Sequence, residues 1–222
     1  MIVPKIIWQT HEYEYDELPD HLQQVILTWI YLNKDWVHKY VSAKEREEFI
    51  SNEYPEVYHI YKQVDNIGKA DIWRYAVIHK YGGVYADMDS VCISSLDDNL
   101  SQIPDDIEIL TTPYGHQSGG INNANFAGKR GAKPLRILIN EIKLKWRKEH
   151  PGQTTKLFTK VMLDRPDVSN EFRSEAHSEV FKDSFSNDYY ITYDGKQIKY
   201  YTFLKKYIHI DGEKSAAKRE NT

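Results

Sequence analysis

The apolar positions of this chain fall into short β-rich runs separated by stretches in which they recur every three or four residues. That alternation predicts an α/β fold. The first run, residues 2–8 (IVPKIIW), reads as a strand, followed by a polar stretch and then a helix over 21–32 whose buried face is Leu22, Val25, Ile26, Trp29 and Ile30. Residues 36–41 read as a second strand. The charged run 44–54 reads as a helix stopped near Pro55. Ile67, Ala70, Ile72, Trp73, Ala76 and Val77 give residues 66–80 a helical period, and Gly82-Gly83 ends that helix with the residue type suited to positive φ. Val84, Tyr85 and Ala86 then form a short buried strand. Further strands are expected at 107–111 and 122–127, helices at 135–146 and 155–163, and late strands at 189–193 and 198–203. Residues 212–222 (GEKSAAKRENT) carry no apolar stripe and read as a frayed tail or linker, which leaves 1–211 as one domain.

Composition changes this picture little. A chain of 222 residues with 41% hydrophobic content can bury a substantial core. The net charge of −4 argues against a nucleic-acid partner, since phosphate-backbone binding needs clustered Lys and Arg. One cysteine, Cys92, excludes an internal disulfide and fits a buried structural thiol in a reducing compartment. The opening apolar run is too short to span a bilayer, which takes about 20 residues. The expectation is a protein without an integral membrane segment, working in a bacterial cytoplasm or a virus's host cytoplasm. Tyrosine and tryptophan are abundant, which suits sugar and base stacking as well as ordinary core packing.

The chemistry concentrates in residues 68–90, GKADIWRYAVIHKYGGVYADMDS. If the strand stays extended beyond Ala86, Asp87 and Asp89 point to one side while Met88 turns into the core. Two like charges held together call for a counter-charge. Mn²⁺ or Mg²⁺ suits them, because hard cations prefer carboxylate and phosphate oxygens. The carboxyl end of a strand in an α/β sheet is also where ligands usually bind. Upstream, Asp71 and Arg74 lie three apart on one helix face, close enough to form an ion pair.

These residues resemble the sugar-binding region of glycosyltransferase family 32 and, more distantly, the glucosylating clostridial toxins. The shared pattern stands here as Ala70, Asp71, Ile72, Trp73, Arg74, Tyr75 and then Tyr81, Gly82, Gly83, Val84, Tyr85, Ala86, Asp87, Met88, Asp89. The opening IVPKIIWQ is similar to the family's first strand, and Trp29 with Asn33 to the helix and turn that follow. The resemblance implies a GT-A fold, a Rossmann-like mixed sheet flanked by helices. It further implies transfer of a sugar from a nucleotide-diphosphate donor, UDP-hexose or a GDP-sugar, to a glycan acceptor hydroxyl, with retention of configuration. By the same resemblance Trp8 stacks on the base, with core packing as the alternative, and Gln9 and Thr10 share its loop. Asp71 and Arg74 hold donor-sugar hydroxyls, Tyr85 contacts sugar or ribose, and Asp87 and Asp89 bind metal and ribose. Asn123, with Asn125 behind it, reaches the sugar, and His209 is a further metal or phosphate ligand, with a surface imidazole near the tail as the alternative.

Two other functions compete. DMDSV also fits the nucleophile loop of haloacid-dehalogenase-type phosphatases, with Asp87 as nucleophile and Asp89 as general acid, although such a loop follows the first strand. A catalytically inactive sugar-binding or cation-binding module is the other, and the stretch 87–98 lacks the glycine and glutamate of a calcium loop.

Overall fold

The structure, a computed structural model, describes residues 1–92, 94–113, 121–146, 153–163 and 165–169, and the backbone of 189–193, 196–204 and 207–210. In chain order the elements are β1 (Ile6–Thr10), α1 (Asp20–Leu32), β2 (Val37–Val41), α2 (Ala43–Glu53), α3 (Pro55–Tyr61), α4 (Asn66–Tyr81), β3 (Gly83–Ala86), α5 (Leu96–Ser101), β4 (Ile109–Pro113), β5 (Ile121–Gly128), α6 (Lys133–Lys145), α7 (Gln153–Met162), β6 (Val168–Ser169), β7 (Tyr189–Tyr193), β8 (Lys196–Leu204) and β9 (Tyr207–Ile210). Six strands form a mixed sheet in the order β2-β1-β3-β5-β4-β6. β1 runs parallel to both β2 and β3, whereas β5 is antiparallel to β3 and to β4. The last three strands make a separate antiparallel sheet.

Strand alternation decides which side chains meet. Trp8, Tyr85 and Phe126 point to the face covered by α2, α3, α4, α6 and α7, and join Trp73, Tyr75 and Phe158 there. Their chain neighbours Ile7, Val84, Ala86 and Ala127 point to the other face, against Val25, Ile26 and Trp29 of α1 and Leu96 and Leu100 of α5. Both faces are apolar, as a sheet covered by helices on each side requires. Each fully buried aliphatic side chain such as Ile7 or Val84 contributes about 1.5–3 kcal/mol.

Local chemistry sets the boundaries. Ser42 accepts from the Glu45 amide while the Glu45 carboxylate accepts from that of Ser42, a capping box that starts α2. The Asp65 side chain accepts from the Gly68 amide at 2.8 Å and caps α4. At the other end of α4, Gly82 (φ +72°) donates to the Ile78 carbonyl, and Gly83 (φ +108°) passes so close to β1 that a Cβ there would lie 2.4 Å from the Ile6 carbonyl oxygen.

Several expectations shift. The first strand begins at Ile6, because Pro4 has no amide to donate and its carbonyl closes a turn with the Ile6 amide. It extends through the polar but buried Gln9 and Thr10. Pro55 ends α2 and also opens α3, where a missing amide costs nothing at the first helical position. Asp97 and Asp98 form the acidic first turn of α5. β6 and β9, which sequence periodicity did not reveal, are two and four residues long. The 212–222 tail lies outside the described residues.

The two glycine geometries separate steric crowding from backbone strain. Gly131 also has positive φ (+76°), yet a Cβ there meets nothing within 4 Å. Gly131→Ala should therefore cost only about 1–2 kcal/mol. Gly83→Ala should cost at least about 2 kcal/mol more, because the new methyl displaces the β1 backbone. Urea unfolding of the two variants decides this, and equal costs would contradict the close approach of β3 to β1.

Candidate active site

β3 delivers Asp87 at its carboxyl end, but the strand stops at Ala86. Residues 87–90 form a turn closed by the Ser90 amide donating to the Asp87 carbonyl at 3.0 Å. The extended i, i+2 geometry expected for Asp87 and Asp89 is thus corrected to a turn, while Met88 is buried as expected. Neighbouring elements lock this turn. The Asp87 amide donates to the Ala124 carbonyl of β5 (2.8 Å), Trp29 of α1 donates to the Ser90 carbonyl (2.8 Å), and the Asn125 amide donates to the Ser90 hydroxyl (3.2 Å). Asn125 is fully buried and acts on the turn. Trp29, expected on the buried face of α1, and Asn33, noted for its resemblance, are framework residues: Asn33 donates to the Trp29 carbonyl and accepts from the Leu96 amide.

Beside the turn lies a buried charge cluster. Arg74 NH2 is 3.4 Å from Asp71 Oδ1 and 3.1 Å from Asp87 Oδ1, and NH1 donates to the Asn123 carbonyl at 2.8 Å. Its guanidinium also lies 4.4 Å from the centre of the Tyr85 ring, a cation–π contact. Burial by itself would lower the arginine's pKa. The carboxylates of Asp87 and Asp71 more than offset that, so the group stays charged with its pKa raised. Tyr85 donates to Asp87 Oδ1 at 2.5 Å, and the Asn123 amide donates to both Asp71 Oδ1 (2.8 Å) and the Tyr75 oxygen (2.6 Å). Burial pushes both tyrosines well above the ordinary phenol range, so each keeps its proton. Two residues not singled out from the sequence complete the cluster: Thr154 and Thr155 at the start of α7 donate to Asp71 Oδ2 at 2.6 and 3.2 Å. In the sequence they stand at Pro151-Gly152-Gln153-Thr154, a turn signal ahead of the 155–163 helix that has a faint resemblance to the family's Thr-Gly-Pro segment.

The structure brings Asp71, Arg74, Tyr85, Asp87 and Asn123 together. The other candidates sit differently. Trp8 is in the core: its indole N–H donates to the Gly82 carbonyl at 3.0 Å, Tyr81 stacks on its ring at 5.6 Å and Trp73 packs edge-on at 6.4 Å. These are the packing contacts weighed as one of its two roles. Thr10 donates to the Val41 carbonyl and ties β1 to β2. Gln9, fully buried, accepts from His38 Nε2 at 2.9 Å and donates to the Asp87 carbonyl at 3.3 Å, so β2 braces the turn through β1. His209 lies opposite Tyr201 on the three-stranded sheet, and its side chain is outside the described residues.

The chain is similar to known glycosyltransferases. Residues 19–106 match the family model described as glycosyltransferase sugar-binding region containing DXD motif. The solved structure titled PaToxG Glycosyltransferase superposes with a TM-score of 0.54 at 12% identity, over 72% of this chain and 69% of that one. The fold is that of the GT-A glycosyltransferases. Inositol phosphoceramide mannosyltransferase 3 of Schizosaccharomyces pombe is 34% identical over 96 residues, 43% of this chain and 26% of its own length. An uncharacterized glycosyltransferase of Acanthamoeba polyphaga mimivirus is 27% identical over 189 residues, 83% of this chain and 65% of its own length. The chain thus spans about a quarter of the first of these relatives. Asp71, Arg74, Asp87 and Asp89 fall within the matched DXD region, whereas Asn123 and Thr154 lie beyond it. A phosphatase loop of the haloacid-dehalogenase type would follow the first strand, and in this GT-A sheet the carboxylates follow the third.

The donor set of the DXD turn suits a hard dication. Among the described residues no three His, Cys, Asp or Glu side chains gather to hold a metal; Asp87 and Asp89 are the carboxylates of the turn that could hold one. Mg²⁺ and Mn²⁺ are commonly held this way, by one or two carboxylates with phosphate oxygens and water completing the shell. Both side chains are partly exposed, 23% for Asp87, so a ligand can reach them.

Two expected outcomes follow from these contacts. Arg74 is the cation between two carboxylates, and Arg74→Gln should lower stability by about 3–5 kcal/mol in urea unfolding, since it strands buried negative charge. A loss under about 1 kcal/mol would mean the pair behaves as a surface ion pair. Burial also lowers the His38 pKa to about 4 from 6.5. As pH falls below 6.5 the unfolded chain takes up a proton that the folded chain refuses, so stability declines down to about pH 4 and then levels. From pH 7.5 to pH 5 this group should remove about 2 kcal/mol. Thermal unfolding of His38→Gln should lack that part of the pH slope, and an unchanged slope would refute the assignment.

Proposed function

We propose that this chain is a metal-dependent glycosyltransferase that moves a hexose from a nucleotide-diphosphate donor to an acceptor hydroxyl. The observation that carries the proposal is the Asp87–Met88–Asp89 turn, fixed from β1, β5 and α1 at the carboxyl end of the central strand β3, with the Asp71–Arg74–Asn123 cluster beside it. Asp87 and Asp89 would hold Mn²⁺ or Mg²⁺ against the donor diphosphate, and the cation's contribution when bound is to neutralise charge on the departing nucleoside diphosphate. Tyr85 and Arg74 both engage Oδ1 of Asp87 and so fix the carboxylate's orientation before any ligand arrives. Arg74, charged at every accessible pH, adds positive potential beside the site. Tyr75 and Tyr85 stay protonated and serve as neutral hydrogen-bonding groups, not as bases.

UDP-hexoses and GDP-hexoses are the donor class. The mannosyltransferase titles of several relatives favour mannosyl transfer as the first to be tried. Retention of configuration belongs to the same proposal.

Donor hydrolysis by the purified chain tests it. UDP-glucose, UDP-galactose and GDP-mannose are incubated with Mn²⁺, with Mg²⁺ and with a chelator, and nucleoside diphosphate release is followed. One donor should be hydrolysed with the metal and not with the chelator. Asp87→Asn and Asp89→Asn should each lower that rate by about 100-fold or more, in line with the loss of a preorganised electrostatic group. Metal-independent turnover, or hydrolysis of a simple phosphomonoester in place of the nucleotide sugars, would overturn the assignment. Nucleotide binding without any turnover would identify an inactive binding module.

A further inference from the structure

The partners of Asp71 are supplied by the protein itself. Asn123 Nδ2 (2.8 Å) and Arg74 NH2 (3.4 Å) sit on Oδ1, and the Thr154 and Thr155 hydroxyls (2.6 and 3.2 Å) on Oδ2. Three of these contacts are hydrogen bonds and the Arg74 contact is an ion pair, so the carboxylate's charge is met within the protein. The residue is 2% exposed. A new hydroxyl can therefore reach this carboxylate only by replacing one of these groups.

The four contacts are not equally replaceable. Arg74 is held at the same time by Asp87 and the Asn123 carbonyl, and Asn123 is held by Tyr75. Thr154 is buried and makes the shortest of the four contacts. Thr155 is partly exposed, makes the longer of the two hydroxyl contacts and can turn its hydroxyl away by a rotation about χ1 that leaves α7 in place. Exchanging one O–H···O⁻ bond for another keeps the carboxylate satisfied throughout, so Asp71 never meets the penalty of an unpaired buried charge.

We propose that Thr155 is a placeholder for a sugar hydroxyl: its hydroxyl occupies an acceptor position on Asp71 Oδ2, and a hydroxyl of the donor hexose displaces it. Thr154 is the positioning residue that holds the carboxylate through the exchange. This rests on the glycosyltransferase assignment above. It predicts an affinity change opposite to that of an ordinary lost contact, because removing the Thr155 hydroxyl removes a competitor of the ligand.

The test is calorimetric binding to the full chain with Mn²⁺, using the donor that turns over in the hydrolysis panel and, separately, its nucleoside diphosphate. Thr155→Val should tighten donor binding by about threefold to tenfold, the scale of one weak hydrogen bond to a charged group. Binding of the nucleoside diphosphate, which has no hexose, should stay within about twofold of the parent chain. Thr154→Val should instead lower donor turnover about tenfold or more, and Thr154→Ser should restore it. Unchanged or weaker donor binding by Thr155→Val, with nucleoside diphosphate binding intact, overturns the placeholder role alone. Failure of the parent chain to bind either molecule overturns the glycosyltransferase assignment and this inference with it.

Discussion

The interaction on which the rest of the site depends is the buried guanidinium of Arg74 between the carboxylates of Asp71 and Asp87. Removing three charges from water is unfavourable, and only close mutual pairing with further hydrogen bonds offsets it. The protein supplies those bonds from four elements. α4 carries Asp71 and Arg74, Asp87 follows β3, β5 brings Asn123, and α7 brings Thr154 and Thr155. A displacement of any one element leaves a buried charge short of a partner, so the cluster specifies how the four pack as well as what they bind.

That arrangement needs α4 and β3 to be joined with almost no connecting chain. Gly82 ends the helix at positive φ and Gly83 starts the strand against the β1 backbone, so Arg74 near the middle of α4 and Asp87 just past β3 return to the same end of the sheet. The apolar framework then fixes the register. Tyr85 lies opposite Trp8 on β1 and Phe126 on β5, with its ring against Trp73 and Phe126 and its hydroxyl reaching Asp87. One side chain thus belongs to the core through its ring and to the site through its oxygen, as buried tyrosines commonly do.

Much of this was legible in the sequence. The β–α alternation, the diglycine break and the paired carboxylates after an apolar strand are local patterns, and local patterns survive folding. What the sequence did not reveal depends on contacts between distant segments. Trp8 reads equally well as a stacking platform or a core residue until Tyr81, Trp73 and the Gly82 carbonyl are seen to enclose it. Asn125 differs from Asn123 by two positions on one strand, yet Asn125 reaches the Ser90 hydroxyl while Asn123 enters the charge cluster. Thr154 and Thr155 are more than eighty residues from Asp71, and no spacing rule connects them. The DXD turn itself was misjudged as extended because the Ser90–Asp87 hydrogen bond that closes it is supported by Gln9, Ala124, Trp29 and Asn125, residues on β1, β5 and α1.

The proposed ligand is polyhydroxylated and anionic and would need a polar site, and buried polar groups must be tolerable in the fold by themselves. This molecule meets both demands by satisfying its charges internally. Asp87 faces outward enough to be reached, yet it is already oriented by Tyr85 and Arg74; Asp71 is closed off by the protein's own hydroxyls. Hydroxyl for hydroxyl and cation beside carboxylate, an incoming ligand meets contacts of the kind it can itself supply. Binding therefore exchanges partners, and the framework of buried aromatic rings behind the cluster need not rearrange. On the proposed function, the stability of the fold and the affinity for a sugar donor would be set by the same few oxygen atoms, which would bring the threonines of α7 into the chemistry of the site although they lie outside the DXD segment.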